Sequence, residues 1–171
     1  VVGVFTTETR HKWASIRMEL TQASSINSEI FSIIDSALFI LCLDQEAPKS
    51  TDERVANMLH GSYHLDPKSG LQIGSCCNRW YDKLQLIVCK NGAAGVNFEH
   101  SAVDGHTVLR FASDVFADNI MRFAKSITKT THGKNYINDI LQASYKKPDA
   151  SIEIEPKRMR WTLNDEVRKK M

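Results

Sequence analysis

The chain has 171 residues, of which 42% are hydrophobic and 25% charged, so its composition is that of an ordinary globular protein and not of a disordered one. A chain of this length is ordinarily one domain and can bury a substantial core. The formal net charge of +2 gives no electrostatic reason to expect a nucleic-acid partner, and no apolar run is long enough to indicate membrane association.

The first part of the chain predicts a strand followed by an amphipathic helix. Val1–Phe5 is an apolar run that is typical of a short buried strand. Thr6 or Thr7 is expected to cap a helix over Glu8–Gln22, because a threonine side chain can accept a hydrogen bond from the first helical turn. The expected inner face of this helix consists of Trp13, Ile16 and Leu20.

Three further elements are predicted before the middle of the chain. Ser24–Ser28 indicates a break and a new helix cap, and the second helix leads into a strand at Leu38–Leu43. Asp52–His60 predicts a short helix that ends at Gly61, whereas the polar stretch Tyr63–Cys77 is typical of a loop with short extended pieces. The residues expected to be buried on the second helix are Ile30, Ile33 and Ile34.

The next segment predicts an antiparallel hairpin that ends at a histidine. Trp80 is expected to pack in the core, and Lys83–Cys89 is expected to be a strand that buries Leu84, Leu86 and Val88. Asn91-Gly92 is the two-residue turn that tolerates positive φ, and Ala93–His100 is the returning strand. Ala94, Val96, Phe98 and His100 alternate on one face, so His100 is expected to end an apolar row at the end of the strand.

A long helix and three weaker elements are predicted after the hairpin. Asp104 is a candidate N-cap of a helix that fades at residues 126–131. Lys134–Ala143 predicts a further helix, Lys146–Glu155 an exposed stretch, Met159–Leu163 a strand and Asn164–Met171 the start of another helix. The apolar stripe of the long helix consists of Val108, Leu109, Ala112, Val115, Phe116, Ile120 and Phe123.

The four cysteines match neither a metal-binding motif nor a disulfide framework. Cys42 and Cys89 lie in apolar strand runs and are expected to behave as small buried hydrophobic residues. Cys76-Cys77 is an adjacent pair in a predicted loop. His60 and His64 have a four-residue spacing, but a glycine lies between them and no third ligand is evident, so we predict no metal site.

The residues His100–Gly105 read HSAVDG, which matches the pattern HxxxDG. Upstream of it lie NRWYDK at Asn78–Lys83, the segment Phe39–Asp44 and MLHG at Met58–Gly61, and PKRMRW follows at Pro156–Trp161. In this order the segments resemble the carnitine/choline acyltransferase family over nearly the whole chain, most closely its carnitine O-acetyltransferases.

The resemblance implies a fold and a place within a longer protein. The expected fold is α/β (α+β): a mixed β-sheet covered by helices, as part of a CoA-dependent, chloramphenicol acetyltransferase-like architecture. The opening on VVGVF without an initiator Met also favours the middle of a longer protein. Residues 1–171 are therefore expected to be one incomplete central piece, in which residues 156–171 begin the following segment. A sheet cut in this way is expected to expose an edge and an apolar face.

The resemblance also implies a reaction. Transfer of an acyl group between a CoA thioester and a hydroxyl group needs a base, and histidine has the unperturbed pKa nearest neutrality. His100 is the implied base, with Nε2 facing the reacting atom and Nδ1 held by an acceptor. The implied attack is direct, without an acyl-enzyme, and the donor that stabilises the oxyanion is implied to lie in the C-terminal half of family members.

Each candidate residue has a structural alternative. From the HxxxDG pattern alone a satisfied strand-end histidine is favoured for His100, and the resemblance reverses this preference. Asp104 is more readily explained as a cap whose ion-pair partner is Arg79 or Arg110 than as a catalytic acid. Gly105 is expected to shape the site through its backbone, by a tight turn or close packing. The basic run at Lys157, Arg158 and Arg160 is interpreted as a solvated face, and no CoA contact is assigned to it.

Two functional hypotheses follow from different classes. The first is a reversible carnitine O-acyltransferase that uses acyl-CoA, in particular acetyl-CoA, as co-substrate and carries no permanently bound cofactor or metal; choline is the alternative acceptor. The second is a non-catalytic, acyltransferase-like scaffold or interaction fragment. The expected partners are acyl-CoA, carnitine and the remainder of the parent chain. An intracellular location is expected, without a distinction between mitochondrion, peroxisome and cytosol.

Overall fold

A computed structural model describes residues 2–128 and 156–170. The chain divides into two compact units, of which the first comprises Val1–Val108 with Met159–Met171 and the second comprises Leu109–Arg158. The predicted helix at Lys134–Ala143 and the predicted exposed stretch at Lys146–Glu155 lie outside the described residues.

The described residues form five α-helices, five strands and two short 3-10 helices. The α-helices are α1 (Arg10–Ala23), α2 (Ser25–Ser36), α3 (Thr51–His60), α4 (Gly105–Thr128) and α5 (Asp165–Lys170). The strands are β1 (Ile40–Asp44), β2 (His64–Leu65), β3 (Gln72–Ile73), β4 (Gln85–Cys89) and β5 (Ala94–Asn97). The 3-10 helices are Val2–Thr7 and Ser75–Asn78.

The first segment is a 3-10 helix, so the predicted strand at Val1–Phe5 is wrong. The Oγ1 of Thr6 donates to the carbonyl of Gly3 (2.6 Å), and the Oγ1 of Thr7 donates to that of Val4 (2.8 Å). These local bonds favour a tight helical turn over strand pairing. The cap of α1 is Thr9, whose Oγ1 accepts from the N–H of Lys12 (3.4 Å), and not Thr6 or Thr7.

The core of the first unit lies between α1, α2 and the C-terminal segment. The predicted inner face of α1 is confirmed, because Trp13, Ile16 and Leu20 are all buried. On α2 the prediction is wrong for Ile33, which is 42% exposed, whereas Phe31 is 3% exposed. Phe31 packs against Trp13 and Trp161, with ring centroids 6.0 and 4.8 Å away. Ile30 and Ile34 are buried as predicted, so the apolar buried face of α2 is formed by Ile30, Phe31 and Ile34.

The C-terminal segment packs into this core without forming the predicted strand at Met159–Leu163. Thr162 exchanges hydrogen bonds with Asn27 instead of with another strand: its N–H donates to Asn27 Oδ1 (2.9 Å), and its carbonyl accepts from Asn27 Nδ2 (2.8 Å). The predicted helix after Asn164 is confirmed as α5, whose Val167 is fully buried.

The main sheet has the strand order β1-β4-β5 and is mixed. β1 runs parallel to β4 with Cys42 opposite Ile87, and β5 runs antiparallel to β4 with Gln85 opposite Asn97. The predicted hairpin is confirmed, with Gly92 at φ +82° in the turn. β2 and β3 form a separate two-stranded antiparallel sheet. The expected combination of helices with a mixed sheet is therefore confirmed.

The buried face of β4 is the opposite of the predicted one. Gln85 and Ile87 are fully buried, and Cys89 is 4% exposed, whereas Val88 is 36% exposed. The polar Gln85 is tolerated on this face because its Oε1 accepts from the backbone N–H of Trp80 (2.7 Å). Gln85 Nε2 is buried and has no hydrogen-bond partner in the described part of the chain, so only the oxygen of this amide is satisfied. Hydrophobicity alone therefore predicts the wrong face, because the buried layer of β4 contains a polar side chain.

The other face of the same sheet is apolar and exposed. Leu41 is 53% and Leu43 65% exposed, and both lie beside Leu86 and Val88 in the register of β1 and β4. β1 and β5 are the outer strands of this sheet in the described part of the chain. The expected exposed apolar face is therefore present.

The second unit contains the greater part of α4. Arg110 and Asp114 (3.1 Å) and Arg122 and Asp118 (2.6 Å) form ion pairs four residues apart along the helix. Much of the predicted apolar stripe is exposed, as in Leu109, Val115, Phe116, Ile120 and Phe123.

Candidate active site

The segment that leaves β5 carries the candidate base His100. β5 ends at Asn97, opposite Gln85, the first residue of β4, so no residue of β4 remains to extend the pairing. His100 consequently lies in a turn beyond the strand, and the prediction that it ends the strand itself is wrong. The predicted sequence of hairpin, histidine, turn and helix is confirmed, because α4 begins at Gly105.

The His100 side chain is 74% exposed and faces a carboxylate of the same motif. Its Nε2 lies 3.3 Å from Oδ1 of Asp104, and the centroid of its ring lies 6.2 Å from that of Phe98. This orientation differs from the expected one, in which Nδ1 is the nitrogen held by an acceptor. A base with an adjacent carboxylate is an arrangement that can accept a proton and stabilise the resulting imidazolium.

Asp104 occupies the position immediately before α4. Its carbonyl accepts from the N–H groups of Thr107 (3.0 Å) and Val108 (3.2 Å), as expected of an N-cap residue. The ion-pair partners expected for Asp104 are engaged elsewhere: Arg79 with Asp44 and Arg110 with Asp114. The partner that the structure provides is His100, four residues earlier.

Gly105 has no steric neighbour that would require a glycine. A Cβ added there would meet no heavy atom within 4 Å. The positive-φ glycines of the described chain are Gly61, Gly70, Gly74 and Gly92. The site-shaping role of Gly105 therefore stays a prediction.

Two side chains anchor the segment that carries His100. The Nδ2 of Asn97 donates to the carbonyls of Met58 (3.1 Å) and Leu59 (3.3 Å), which tethers the end of β5 to the last turn of α3. The Glu99 carboxylate accepts from the N–H of Ser101 (2.9 Å) and from its hydroxyl group. Sequence reasoning missed both anchors, although polar residues just before a candidate base, at Asn97 and Glu99, are a signal that can be searched for.

Glu99 also reaches the start of α1. Its Oε1 accepts from Nη2 of Arg10 (2.8 Å). The hydroxyl and N–H groups of Ser101, with the charge of Arg10, hold the pKa of the Glu99 carboxyl below its usual range. An ionised Glu99 thus links Ser101, on the other side of His100, to Arg10 at the start of α1.

A buried ion pair lies behind the hairpin. Arg79 Nη1 donates to Asp44 Oδ1 (3.1 Å) and Arg79 Nη2 to Asp44 Oδ2 (2.9 Å), and both side chains are fully buried. Asn78 Nδ2 and Asn57 Nδ2 each donate to one oxygen of Asp44 at 2.8 Å. Arg79 Nη2 also donates to the carbonyl of Asn57 (2.6 Å), so the pair joins β1, α3 and the start of the hairpin.

The remaining residues of NRWYDK are structural as well. Trp80 stacks on Trp161 with ring centroids 6.5 Å apart, and it packs against the core, as predicted. Asp82 accepts from Trp13 Nε1 (3.0 Å). Tyr81 donates its hydroxyl hydrogen to the carbonyl of Leu59 (2.9 Å). The motif therefore holds helices α1 and α3 beside the hairpin and does not form a recognition cluster on the surface.

The other titratable candidates follow the sequence expectations in part. Cys42 and Cys89 are 2% and 4% exposed, which confirms that they are buried, and none of the four cysteines forms a disulfide.

Among residues 2–128 and 156–170, no group of three or more His, Cys, Asp or Glu side chains is arranged to hold a metal ion. No α-helix of the described chain is both long and apolar enough to cross a membrane.

Comparison with known proteins gives a consistent result. The sequence profile of the Choline/Carnitine o-acyltransferase family matches residues 1–171. The chain is 42% identical over 180 residues to the putative mitochondrial carnitine O-acetyltransferase of Saccharomyces cerevisiae, covering 95% of this chain and 26% of that protein. It is 43% identical over 119 residues to human mitochondrial carnitine O-palmitoyltransferase 2, covering 69% of this chain and 16% of the relative.

A third relative extends the comparison to an amphibian. Mitochondrial carnitine O-palmitoyltransferase 2 of Xenopus tropicalis is 41% identical over 126 residues, which cover 73% of this chain and 17% of the relative. The chain thus spans at most 26% of the length of these three relatives. Because the family profile matches from the first residue to the last, the chain belongs to the choline/carnitine O-acyltransferase family.

Proposed function

We propose that this chain is the central part of a carnitine O-acyltransferase, which transfers an acyl group reversibly between CoA and carnitine with His100 as general base. The observation that carries the proposal is the contact between His100 Nε2 and Asp104 Oδ1 at 3.3 Å, on an exposed turn between a hairpin and a helix. Family membership over the whole chain supports it.

The proposed role of Asp104 follows from this contact. A neutral imidazole whose Nε2–H faces the carboxylate has its lone pair on Nδ1, and Nδ1 is then the atom that removes the proton from the attacking hydroxyl group of carnitine. The developing positive charge on the ring is stabilised by the adjacent Asp104 carboxylate. In the reverse direction the same nitrogen removes the proton from the thiol of CoA.

We propose that the acyl group passes directly between the two substrates through a tetrahedral intermediate. The oxyanion of that intermediate needs a hydrogen-bond donor, and we assign it to the remainder of the parent chain. The exposed leucines of the sheet, Leu41 and Leu43, support the presence of further protein around this unit. Acyl-CoA and carnitine are co-substrates in this scheme, with no permanently bound cofactor.

The proposal also specifies which acyl group is transferred and which acceptor receives it. The yeast relative is named an acetyltransferase, whereas the human and amphibian relatives are named palmitoyltransferases. We propose acetyl-CoA, because the yeast relative matches 95% of the chain. Carnitine is proposed over choline because all three of these relatives are named for carnitine. An intracellular location is proposed on the same ground, since these relatives are named mitochondrial.

The test compares two histidine variants of the full-length protein. We expect His100→Gln to abolish carnitine-dependent release of CoA from acetyl-CoA, with a loss of roughly 10²–10⁴-fold, because it removes the general base. His106→Gln is the matched control, since His106 is exposed in the first turn of α4, and its activity is expected to stay near that of the wild type. Full activity in His100→Gln would overturn the assignment.

A second experiment separates the enzyme from the scaffold hypothesis. If the full-length protein transfers neither acetyl nor palmitoyl groups to carnitine or choline, the scaffold hypothesis is favoured. The 171-residue chain alone is expected to show negligible turnover, because the proposed oxyanion donor lies outside it. Robust transfer by the isolated chain would contradict this expectation.

A further inference from the structure

The adjacent residues Cys76 and Cys77 lie in the short 3-10 helix Ser75–Asn78 with their sulfur atoms together. The two Sγ atoms are 3.7 Å apart. Both side chains are partly exposed, whereas Cys42 and Cys89 are buried. This pair is therefore the thiol pair that a small reagent in solution can reach most directly among the four cysteines.

One residue holds both sulfur atoms on the same side of the turn. The side-chain amide of Gln72 donates to Cys76 Sγ (3.4 Å), and Cys77 Sγ donates to the backbone carbonyl of Gln72 (3.4 Å). Two neighbouring side chains on an extended chain would point in opposite directions. The tight turn and the contacts with Gln72 instead present the two thiols as a pair.

We propose that Cys76 and Cys77 form a redox-modifiable dithiol, which small-molecule disulfides convert into an intramolecular disulfide between adjacent residues. One thiolate attacks a sulfur of the external disulfide and displaces a thiolate, which leaves a mixed disulfide on the protein. The neighbouring thiolate then attacks the protein sulfur and displaces the second thiolate. The protein loses two protons and two electrons as its S–S bond forms, and the reagent takes them up when its own S–S bond breaks to give two thiols.

Two physical properties of the pair shape this reaction. Burial, together with the thiol of Cys76, raises the pKa of the Cys77 thiol, which lowers its thiolate fraction at neutral pH. The reaction is therefore expected to be slow near neutrality and faster at alkaline pH. Consecutive Cα atoms lie about 3.8 Å apart, which is shorter than the usual spacing across a disulfide. The closed bond is therefore expected to be opened readily by a reducing thiol, as is typical of regulatory disulfides.

Formation of the Cys76–Cys77 disulfide is expected to disturb the buried hydrogen bonds around Asp44. The hydroxyl group of Ser75, the residue before the pair, donates to Asn57 Oδ1 (2.8 Å). Asn78, the residue after the pair, donates to Asp44 (2.8 Å). Because one end of the turn is bonded to Asp44 and the other to Asn57, which itself donates to Asp44, a change of the peptide between Cys76 and Cys77 is transmitted to the Arg79–Asp44 pair.

The chain offers a direct measurement of the modification. Trypsin cleaves after Lys68 and Arg79, which places both cysteines in the peptide Ser69–Arg79, whereas Cys42 and Cys89 fall in other peptides. The native full-length protein is treated with oxidised glutathione, its remaining thiols are alkylated, and the peptides are weighed. We expect the peptide Ser69–Arg79 to lose two hydrogens and to take up no alkyl group.

The control variants distinguish an intramolecular disulfide from the separate reaction of two exposed thiols with glutathione. Cys76→Ser and Cys77→Ser are each expected to give a single glutathione adduct on this peptide, and dithiothreitol is expected to restore the unmodified wild-type mass. Two glutathione adducts on the wild-type peptide, or full alkylation after the treatment, would overturn the proposal. The peptides that contain Cys42 and Cys89 are expected to remain reduced.

The effect of the disulfide on the stability of the fold is measured by thermal unfolding. We expect the oxidised wild-type protein to have a lower thermal midpoint than the reduced one, and reduction to restore it. Cys76→Ser, treated in the same way, is expected to show a smaller shift because its turn is not closed into a ring. An unchanged midpoint in protein that mass analysis shows to be closed would overturn the coupling to the Arg79–Asp44 pair.

Discussion

Arg79 and Asp44 form a two-bonded ion pair in which both side chains are fully buried, with N–O distances of 3.1 and 2.9 Å. Burial opposes ionisation of Asp44, but donors from Arg79, Asn78 and Asn57 outweigh it and lower the pKa of this carboxyl. Burial likewise opposes the charge on Arg79, and Asp44 outweighs it and raises the pKa of the guanidinium. Both groups are therefore charged, and each depends on the other.

Removal of the negative charge is expected to destabilise the fold strongly. Asp44→Asn leaves the Arg79 guanidinium buried without its counter-charge, and breaking a buried pair in this way costs about 3–5 kcal/mol. Urea denaturation of the full-length protein, followed by a probe of this unit such as its tryptophan fluorescence, measures the loss.

An exposed ion pair of the same unit supplies the matched control. Arg17 Nη1 lies 3.1 Å from Asp35 Oδ1, but the Asp35 side chain is 42% exposed. Asp35→Asn is expected to cost less than about 1 kcal/mol, because solvent screens such pairs. Equal costs for the two substitutions would contradict the importance assigned to burial.

The pH dependence of the buried pair has a defined sign. Because the pKa of Asp44 is lower in the folded state than the ordinary value of 3.8, its contribution is present above that value. The contribution is lost as the pH falls from there through the folded-state pKa. We expect the difference in unfolding free energy between wild type and Asp44→Asn to be constant near neutrality and to shrink in acid. A difference that grows on acidification would show that the lowered pKa is wrong.

The sequence predicted the order of the elements around His100 better than it predicted the interior. HSAVDG follows a hairpin with an Asn-Gly turn, and these local signals placed His100 between a strand and a helix. The face of β4 was assigned wrongly, because Leu86 and Val88 alternate with Gln85 and Ile87, and only Gln85 of these two is polar. Burial of Gln85 depends on a hydrogen bond from Trp80, which no hydrophobic pattern contains.

The buried pair could not be predicted because it joins segments that are distant along the chain. Asp44 ends β1 and Arg79 precedes β4, and they meet only because these two strands pair in parallel. The pattern placed both residues in recognisable segments but gave no register between them. The same limit applies to Asn97 and Glu99, whose partners lie on α3 and α1.

Gly61 and Gly92 both have a positive φ, but only Gly61 lies against neighbouring backbone atoms. Gly61 has φ +74°, and a Cβ there would lie 2.4 Å from the backbone nitrogen of Cys76. Gly92 has φ +82° in the hairpin turn, and a Cβ there would meet nothing within 4 Å. Gly92→Ala is expected to cost about 1–2 kcal/mol for the left-handed backbone. Gly61→Ala adds a collision with main-chain atoms and is expected to cost more.

The same denaturation experiment tests this comparison. The two variants carry the same chemical change, so the difference between their unfolding free energies isolates the effect of the neighbouring Cys76 backbone. A Gly92→Ala variant that is as unstable as Gly61→Ala would show that the close approach of the two segments contributes nothing.

Glu99 is expected to position His100. Its carboxylate bonds across His100 to both the N–H and the hydroxyl group of Ser101, and to Arg10 on α1. In the full-length protein, Glu99→Ala should release this turn and lower kcat of the proposed acyl transfer by roughly 10- to 100-fold, because small displacements of a catalytic group have effects of that size. KM is expected to change little, since Glu99 does not contact a substrate in the proposed mechanism.

Conservative variants separate positioning from charge. Glu99→Gln keeps an oxygen that can accept from Ser101 and is expected to retain more activity than Glu99→Ala, whereas Arg10→Ala removes only an exposed ion pair and should have a small effect. Because the pKa of Glu99 is lowered, its carboxyl group stays ionised at pH values where an ordinary glutamate begins to take up a proton. The ratio of wild-type kcat to Glu99→Ala kcat is therefore expected to stay the same in weakly acidic solution. A loss confined to KM, or equal activity in Glu99→Ala and wild type, would assign Glu99 a role other than positioning.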